Sequence, residues 1–182
     1  MHIVFRRSTL AESRAIEQRE PVTLAELSGG WNVAFQQGRG APATAAFAKL
    51  TPLDENADAG IKYFSGIANY AQDFTTPKGW IAGQPLWLDL GEVRELAEVT
   101  LNGQPVGSVW HAPFRLDISA AAKRGKNRVE IKVANLWVNR LIGDAQPGAQ
   151  KITWTAMPAY RADAPLRRSG LIGPVTLLGQ GK

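Results

Sequence analysis

The sequence predicts an all-β protein folded as an antiparallel β-sandwich. Three observations carry that prediction. Apolar residues alternate with a period of two along several short stretches, one tight-turn dipeptide joins two of them, and Gly and Pro recur between them. Successive side chains of a strand point to opposite faces, so such alternation marks a strand with one face in a core.

Taken in order, HIVF reads as an opening strand and TLAESRAIEQRE as a short helix or turn. WNVAF is the next strand. PATAAFAKLTPLDENADAG has no periodicity and reads as a long surface connection. IKYFSGIANYAQDF reads as one long strand, or two broken at Ser65 and Gly66. PLWLDL sets Leu86, Leu88 and Leu90 on one face and Trp87 and Asp89 on the other. EVTLNGQPVGSVW is the strongest local signal, because Asn102-Gly103 supplies the positive φ angles of a two-residue hairpin turn. FRLDIS alternates through Phe114, Leu116 and Ile118, and DISAAAKRG allows a short helix or turn. RGKN turns the chain into RVEIKVA, where Val129, Ile131 and Val133 alternate with Glu130 and Lys132. GPVTLL closes the set.

The 182 residues suit one main domain, and 45% hydrophobic content is ample for a core. We divide the chain into 1–26, a strand and linker leading from an upstream domain, and 27–182, the sandwich. The abrupt start on a strand is what a piece of a longer protein would show. With no cysteine, the chain has neither disulfides nor thiolate chemistry. The net charge of +5 is scattered, its densest runs being Arg6-Arg7, Lys123-Arg124 and Arg167-Arg168, so it reads as a solvated surface and not a nucleic-acid footprint. No apolar run approaches the ~20 residues that span a bilayer, and MHIVFRRSTL lacks the apolar core of an export signal. A bacterial periplasmic or secreted setting is the expectation, with any export signal outside this chain.

Catalytic chemistry finds little to rest on. His2 and His111 are the only histidines, and no transition-metal spacing occurs. No cofactor is implied, while a structural calcium ion, needing only loop oxygens, stays compatible with the sequence. There is no GxSxG elbow or P-loop. Asp89, Glu98, Asp117 and Glu130 alternate with core residues and fall on solvated faces, which leaves Asp144 and Asp163 as candidate carboxylates for glycoside chemistry.

The aromatic residues say more. Three of the six Trp, at 110, 137 and 154, lie at or near strand ends. An indole face packs on the C–H face of a sugar while aimed polar groups hold its hydroxyls. VWHAPFR and LWVNR both have that content, giving Trp110, His111, Arg115, Trp137, Asn139, Arg140 and Asp144 as candidate carbohydrate-binding residues. In NLWVNRLIGD, read as a loop, Trp137 and Leu141 are expected to pack inward. Asn139, Arg140 and Asp144 either fix the loop or face a ligand.

These stretches together resemble a known module. WLDLGEVRELAEVTLNGQPVGSVWHAPFRLDISAAAKRGKNRVEIKVANLWVNRLIGD is similar to the galactose-binding-domain-like β-sandwich of large glycoside hydrolases. It resembles the sugar-binding domain of family 2 glycosidases, and more closely the C-terminal region of family 106 α-L-rhamnosidase-like enzymes. KYFSGIANYAQDF and SGLIGPVTLL resemble the leading and closing strands. The resemblance covers about residues 27–179 and implies a jelly-roll fold, with a glycoside hydrolase as the parent polypeptide. It further implies an upstream catalytic domain as partner, because no (β/α)₈ barrel fits here. The expected role is a non-catalytic accessory module binding the terminal sugar of a glycan. Its rivals are a purely structural brace and, more remotely, a small hydrolase using Asp144 or Asp163.

Overall fold

The computed structural model describes residues 20–180. The HIVF strand and the TLAESRAIEQRE segment fall outside them, except for Glu20.

Twelve strands and two short helices follow one another: β1 (Pro21–Glu26), β2 (Trp31–Phe35), β3 (Thr44–Phe47), a 3₁₀ turn (Leu53–Glu55), α1 (Ala59–Lys62), β4 (Ile67–Thr75), β5 (Leu86–Asp89), β6 (Glu92–Arg94), β7 (Leu96–Leu101), β8 (Gln104–Val109), β9 (Arg115–Asp117), β10 (Lys126–Ala134), α2 (Val138–Asp144), β11 (Gly170–Gly173) and β12 (Thr176–Gln180). They form a four-stranded sheet in the order β1-β12-β5-β9, a six-stranded sheet in the order β3-β2-β4-β10-β7-β8, and a small β11-β6 pair. Every strand pairing is antiparallel.

The predicted alternation becomes the core. Leu86, Leu88 and Leu177 of the first sheet join Val33, Val99, Val129 and Ile131 of the second in one buried cluster. Burial of a side chain of this size contributes about 1.5–3 kcal/mol, so the period-two residues supply most of the cohesion between sheets. Asn102 (φ 53°) and Gly103 (φ 79°) take the left-handed angles of the β7–β8 turn, as expected. Asn102 also donates to the Ala121 carbonyl and to Asn127 Oδ1, both at 2.8 Å, and accepts from the Arg128 N–H. The turn is thereby pinned to the loop entering β10.

Four local expectations change. Residues 21–26, assigned to the linker, form β1 and pair with β12, so the sandwich already includes them. The long connection before residue 60 holds β3, which pairs with β2, then the 3₁₀ turn and the start of α1. Within IKYFSGIANYAQDF only residues from Ile67 are strand. Ile61 and Lys62 lie in α1, because Asp58 accepts from the Gly60 and Ile61 N–H groups and caps a helical turn there. NLWVNRLIGD is mainly helix: residues 138–144 form α2.

Candidate functional site

The site lies at the end of the six-stranded sheet where β10 passes into α2. Asn135 begins it, its amide donating to the Phe64 carbonyl and accepting from the Gly66 N–H at 2.9 and 2.8 Å. Ser65 then donates to the Leu136 carbonyl at 2.8 Å and accepts from the Arg140 N–H at 3.2 Å. Trp137, at the N-cap of α2, offers no side-chain cap. Ser65, 75 residues away, thus satisfies one of the N–H groups that a helix start leaves free.

The next feature inverts the expected facing of this segment. Trp137 is 50% exposed and Leu141 half-buried, whereas Asn139, Arg140 and Asp144 are buried. Asn139 Nδ2 donates to the Arg167 carbonyl at 2.6 Å, and its Oδ1 accepts from the Arg167 N–H at 2.8 Å. Asp144 Oδ2 accepts from the N–H groups of Ile152 (3.3 Å) and Thr153 (2.8 Å) and from the Thr153 hydroxyl. Its Oδ1 stands 3.0 Å from Arg140 Nη2, in ionic contact but without aligned hydrogen-bond geometry. Burial pushes the Asp144 carboxyl up, but the Thr153 hydroxyl, the two N–H groups and the Arg140 charge together hold it below the usual carboxylate range. The polar face of α2 therefore clamps the irregular segment between α2 and β11 at two places, residues 152–153 and residue 167.

The clamp shapes an open groove. A cavity of 310 Å³ is lined by Arg39, Trp137, Leu141, Ile152, Thr153, Trp154 and Thr155. A second cavity of 210 Å³ shares Leu141, Thr153, Trp154 and Thr155 with it and extends past Lys151 to Tyr160. The Arg39 guanidinium carbon lies 4.7 Å from the Trp137 ring centroid, a cation–π stack. Gly40 (φ 86°) brings the β2–β3 turn this close: a Cβ there would stand 2.8 Å from Arg140 Nη1 and 3.0 Å from Ile152 Cδ1.

The other three predicted residues lie elsewhere. Trp110, 67% exposed, follows β8 and meets the His111 ring edge-on at 5.7 Å, and His111 Nδ1 lies 2.9 Å from the Ala112 carbonyl oxygen. Arg115 donates through Nε and Nη2 to Asp89 Oδ2 at 3.0 and 2.8 Å. Trp110 borders a separate cavity of 530 Å³ with Glu92, Arg94, Glu95 and Phe114. The register Ala134↔Leu96 and Ala97↔Val109 sets both tryptophan loops at one end of the sheet. They follow β8 and β10, and β7 lies between those two strands, so the seven residues divide into two patches. Trp154, 86% exposed, sits in an irregular segment and not at a strand end. Arg39 and Trp154 were absent from the predicted site. The Trp was noted among the aromatics at or near strand ends, whereas nothing local to Arg39 signals its place.

Asp163 pairs with Arg161 through two hydrogen bonds of 3.0 and 2.7 Å, and that guanidinium holds its carboxyl below the usual range. A glycosidase general acid needs the opposite, a raised pKa that keeps its proton near neutrality. Both suspected carboxylates are held ionised. Among the described residues, no three His, Asp or Glu side chains stand close enough to hold a metal ion, and no helix is long and apolar enough to cross a membrane.

Sheet order and core together define an antiparallel β-sandwich. The chain belongs to the glycosyl hydrolase 2 galactose-binding domain-like family, whose model matches residues 53–167. It superposes on a rhamnosidase from Novosphingobium sp. PP1Y with a TM-score of 0.91 and 57% identity, covering 96% of this chain and 16% of that one. A curated relative from Formosa agariphila, named "Putative beta-glucuronidase", is 36% identical over 176 residues, covering 83% of this chain and 15% of the relative. A β-glucuronidase from Ruminococcus gnavus in complex with D-glucuronic acid matches at a TM-score of 0.52 and 25% identity, over 68% of this chain and 24% of its own. The chain thus spans about a sixth of the length of the rhamnosidase and of the curated relative.

Proposed function

We propose that this chain is a non-catalytic accessory module of a glycoside hydrolase, holding carbohydrate in the groove between Trp137 and Trp154. Another domain of the same polypeptide supplies the bond-breaking groups. The observation that carries this reading is the pair of exposed indoles lining one groove whose walls are fixed by part-buried hydrogen bonds from α2. A rigid wall keeps the stacking surfaces in place before the ligand arrives, which lowers the ordering cost of binding. The ionised states of Asp144 and Asp163 support a module without its own general acid. The lengths of the relatives support a larger parent.

The test is calorimetric titration of the 182-residue chain against a panel of mono- and oligosaccharides. Binding that disappears in Trp137→Ala, with the circular dichroism spectrum unchanged, is the expected result. Turnover of an aryl rhamnoside or galactoside by the chain alone would overturn the non-catalytic reading.

A second reading, a brace that binds no sugar, is favoured by Met157, 77% exposed in the same segment as Trp154. An exposed thioether close in sequence to an exposed indole suits a covered protein contact. In that case no sugar binds, and hydroxyl-radical labelling finds Trp154 and Met157 shielded once the rest of the enzyme is attached.

A further inference from the structure

We propose that the sugar taken by the Trp137–Trp154 groove is anionic, a pyranose carrying a carboxylate or a sulfate ester, with Arg39 as the residue that selects it. This rests on the carbohydrate-binding reading above and adds the charge of the ligand.

Three observations converge on it. The first concerns the charged side chains of the groove, which are Arg39, Lys151 and Asp144. Asp144 is spent inside the protein, with Oδ2 taken by three donors of the 152–153 segment and Oδ1 against Arg140. The charge turned to the groove is therefore positive.

The second concerns the arginines. Arg94, Arg115, Arg128, Arg140, Arg161 and Arg168 each meet a carboxylate. Among the described residues Arg39, Arg124 and Arg167 meet none, and of these three Arg39 is the one that lines the groove, its guanidinium over the Trp137 ring. A guanidinium held over a ring by cation–π attraction spends none of its N–H donors on a carboxylate and can grip two oxygens of a carboxylate or sulfate.

The third concerns how Arg39 reaches that position. Positive φ and close backbone approach at Gly40 fold the β2–β3 turn against Arg140 and Ile152. The turn is thus held on the groove by its own packing and not by a salt bridge from Arg39.

The remaining lining suits a sugar ring: two indoles, the Tyr160 ring and the Thr155 hydroxyl. A neutral sugar would stack on the indoles but offer neither Arg39 nor Lys151 a counter-charge. An acidic sugar satisfies both parts of the groove. Its charge-assisted hydrogen bonds give a preference of roughly tenfold or more over the neutral analogue.

The experiment titrates the 182-residue chain with four disaccharides: one ending in glucuronic acid, one in a sulfated galactose, and their neutral glucose and galactose counterparts. The expected result is tighter binding of one or both acidic probes, and which one binds tells carboxylate from sulfate. The preference weakens as salt rises, disappears in Arg39→Gln and is partly kept in Arg39→Lys, while Trp137→Ala weakens acidic and neutral probes alike. Thermal melts of the Arg39 variants matching the parent confirm that the fold is intact. Equal binding of neutral and acidic sugars, or a preference that survives Arg39→Gln, overturns the anionic assignment and leaves the carbohydrate reading standing. Binding of no sugar at all, with an acidic peptide held at Arg39 instead, overturns both.

Discussion

The side-chain amide of Asn139 grips the backbone of Arg167 twice, donating to its carbonyl at 2.6 Å and accepting from its N–H at 2.8 Å. Residues so placed join a helix to a segment 28 positions later, which no local propensity could hold. Replacing Asn139 with Ala removes both bonds and strands two partly buried backbone groups, costing about 2–3 kcal/mol. Urea denaturation should show that loss, and limited proteolysis should open the 145–169 segment before the sandwich.

Asp144 makes the stability of the clamp depend on acid. Its folded pKa lies below its unfolded value of about 3.9, because the Thr153 donors, the Ile152 N–H and Arg140 outweigh the effect of burial. A depressed pKa contributes stability that is fully present above the unfolded value. That contribution is lost as pH falls through the folded one. The native chain should therefore lose urea resistance below about pH 4. Asp144→Asn should be less stable near neutrality and show a flatter acid limb, as urea midpoints across that range would reveal.

Gly40 is predicted to tie stability to ligand binding. Gly40→Ala must hold φ near 86° and fit a Cβ 2.8 Å from Arg140 Nη1. The cost should be about 1–2 kcal/mol by thermal melting. Sugar binding should fall by more than that loss of stability explains, since the turn carrying Arg39 is displaced.

The β7–β8 turn offers a control remote from the groove. Asn102→Ala removes bonds to Ala121, Asn127 and Arg128 and places alanine at φ 53°. A loss of about 2–3 kcal/mol is expected by chemical denaturation. The dissociation constant of any sugar for the folded fraction should not change.

Much of the fold is legible in short stretches, because a strand with one buried face writes its period into adjacent residues. Leu86, Leu88 and Leu90 are buried as their spacing predicts, and Asn102-Gly103 turns as its chemistry requires. The IKYF stretch misled because its apolar residues serve a helical turn started by the Asp58 cap. The site was half legible. Trp137 was recognised as a candidate, and of the two roles left open for Asn139, Arg140 and Asp144 the structure takes the one that fixes the segment: Arg140 and Asp144 pair four residues apart, but the partners at Ile152 and Arg167 lie 8 and 28 residues away, beyond what local reading could choose.

By itself, then, the sequence determined the β-sandwich, the hairpin, the period-two core and the family likeness, all of which are written in local alternation, turn chemistry or motif content. Only the tertiary structure decided which face of NLWVNRLIGD is inside. The rule that apolar residues turn inward fails there, because Arg167, Ile152 and Thr153 present backbone groups that need partners, and burying those groups unpaired would cost more than exposing one indole. Trp137 is left at the surface, against Arg39, as the wall of a groove.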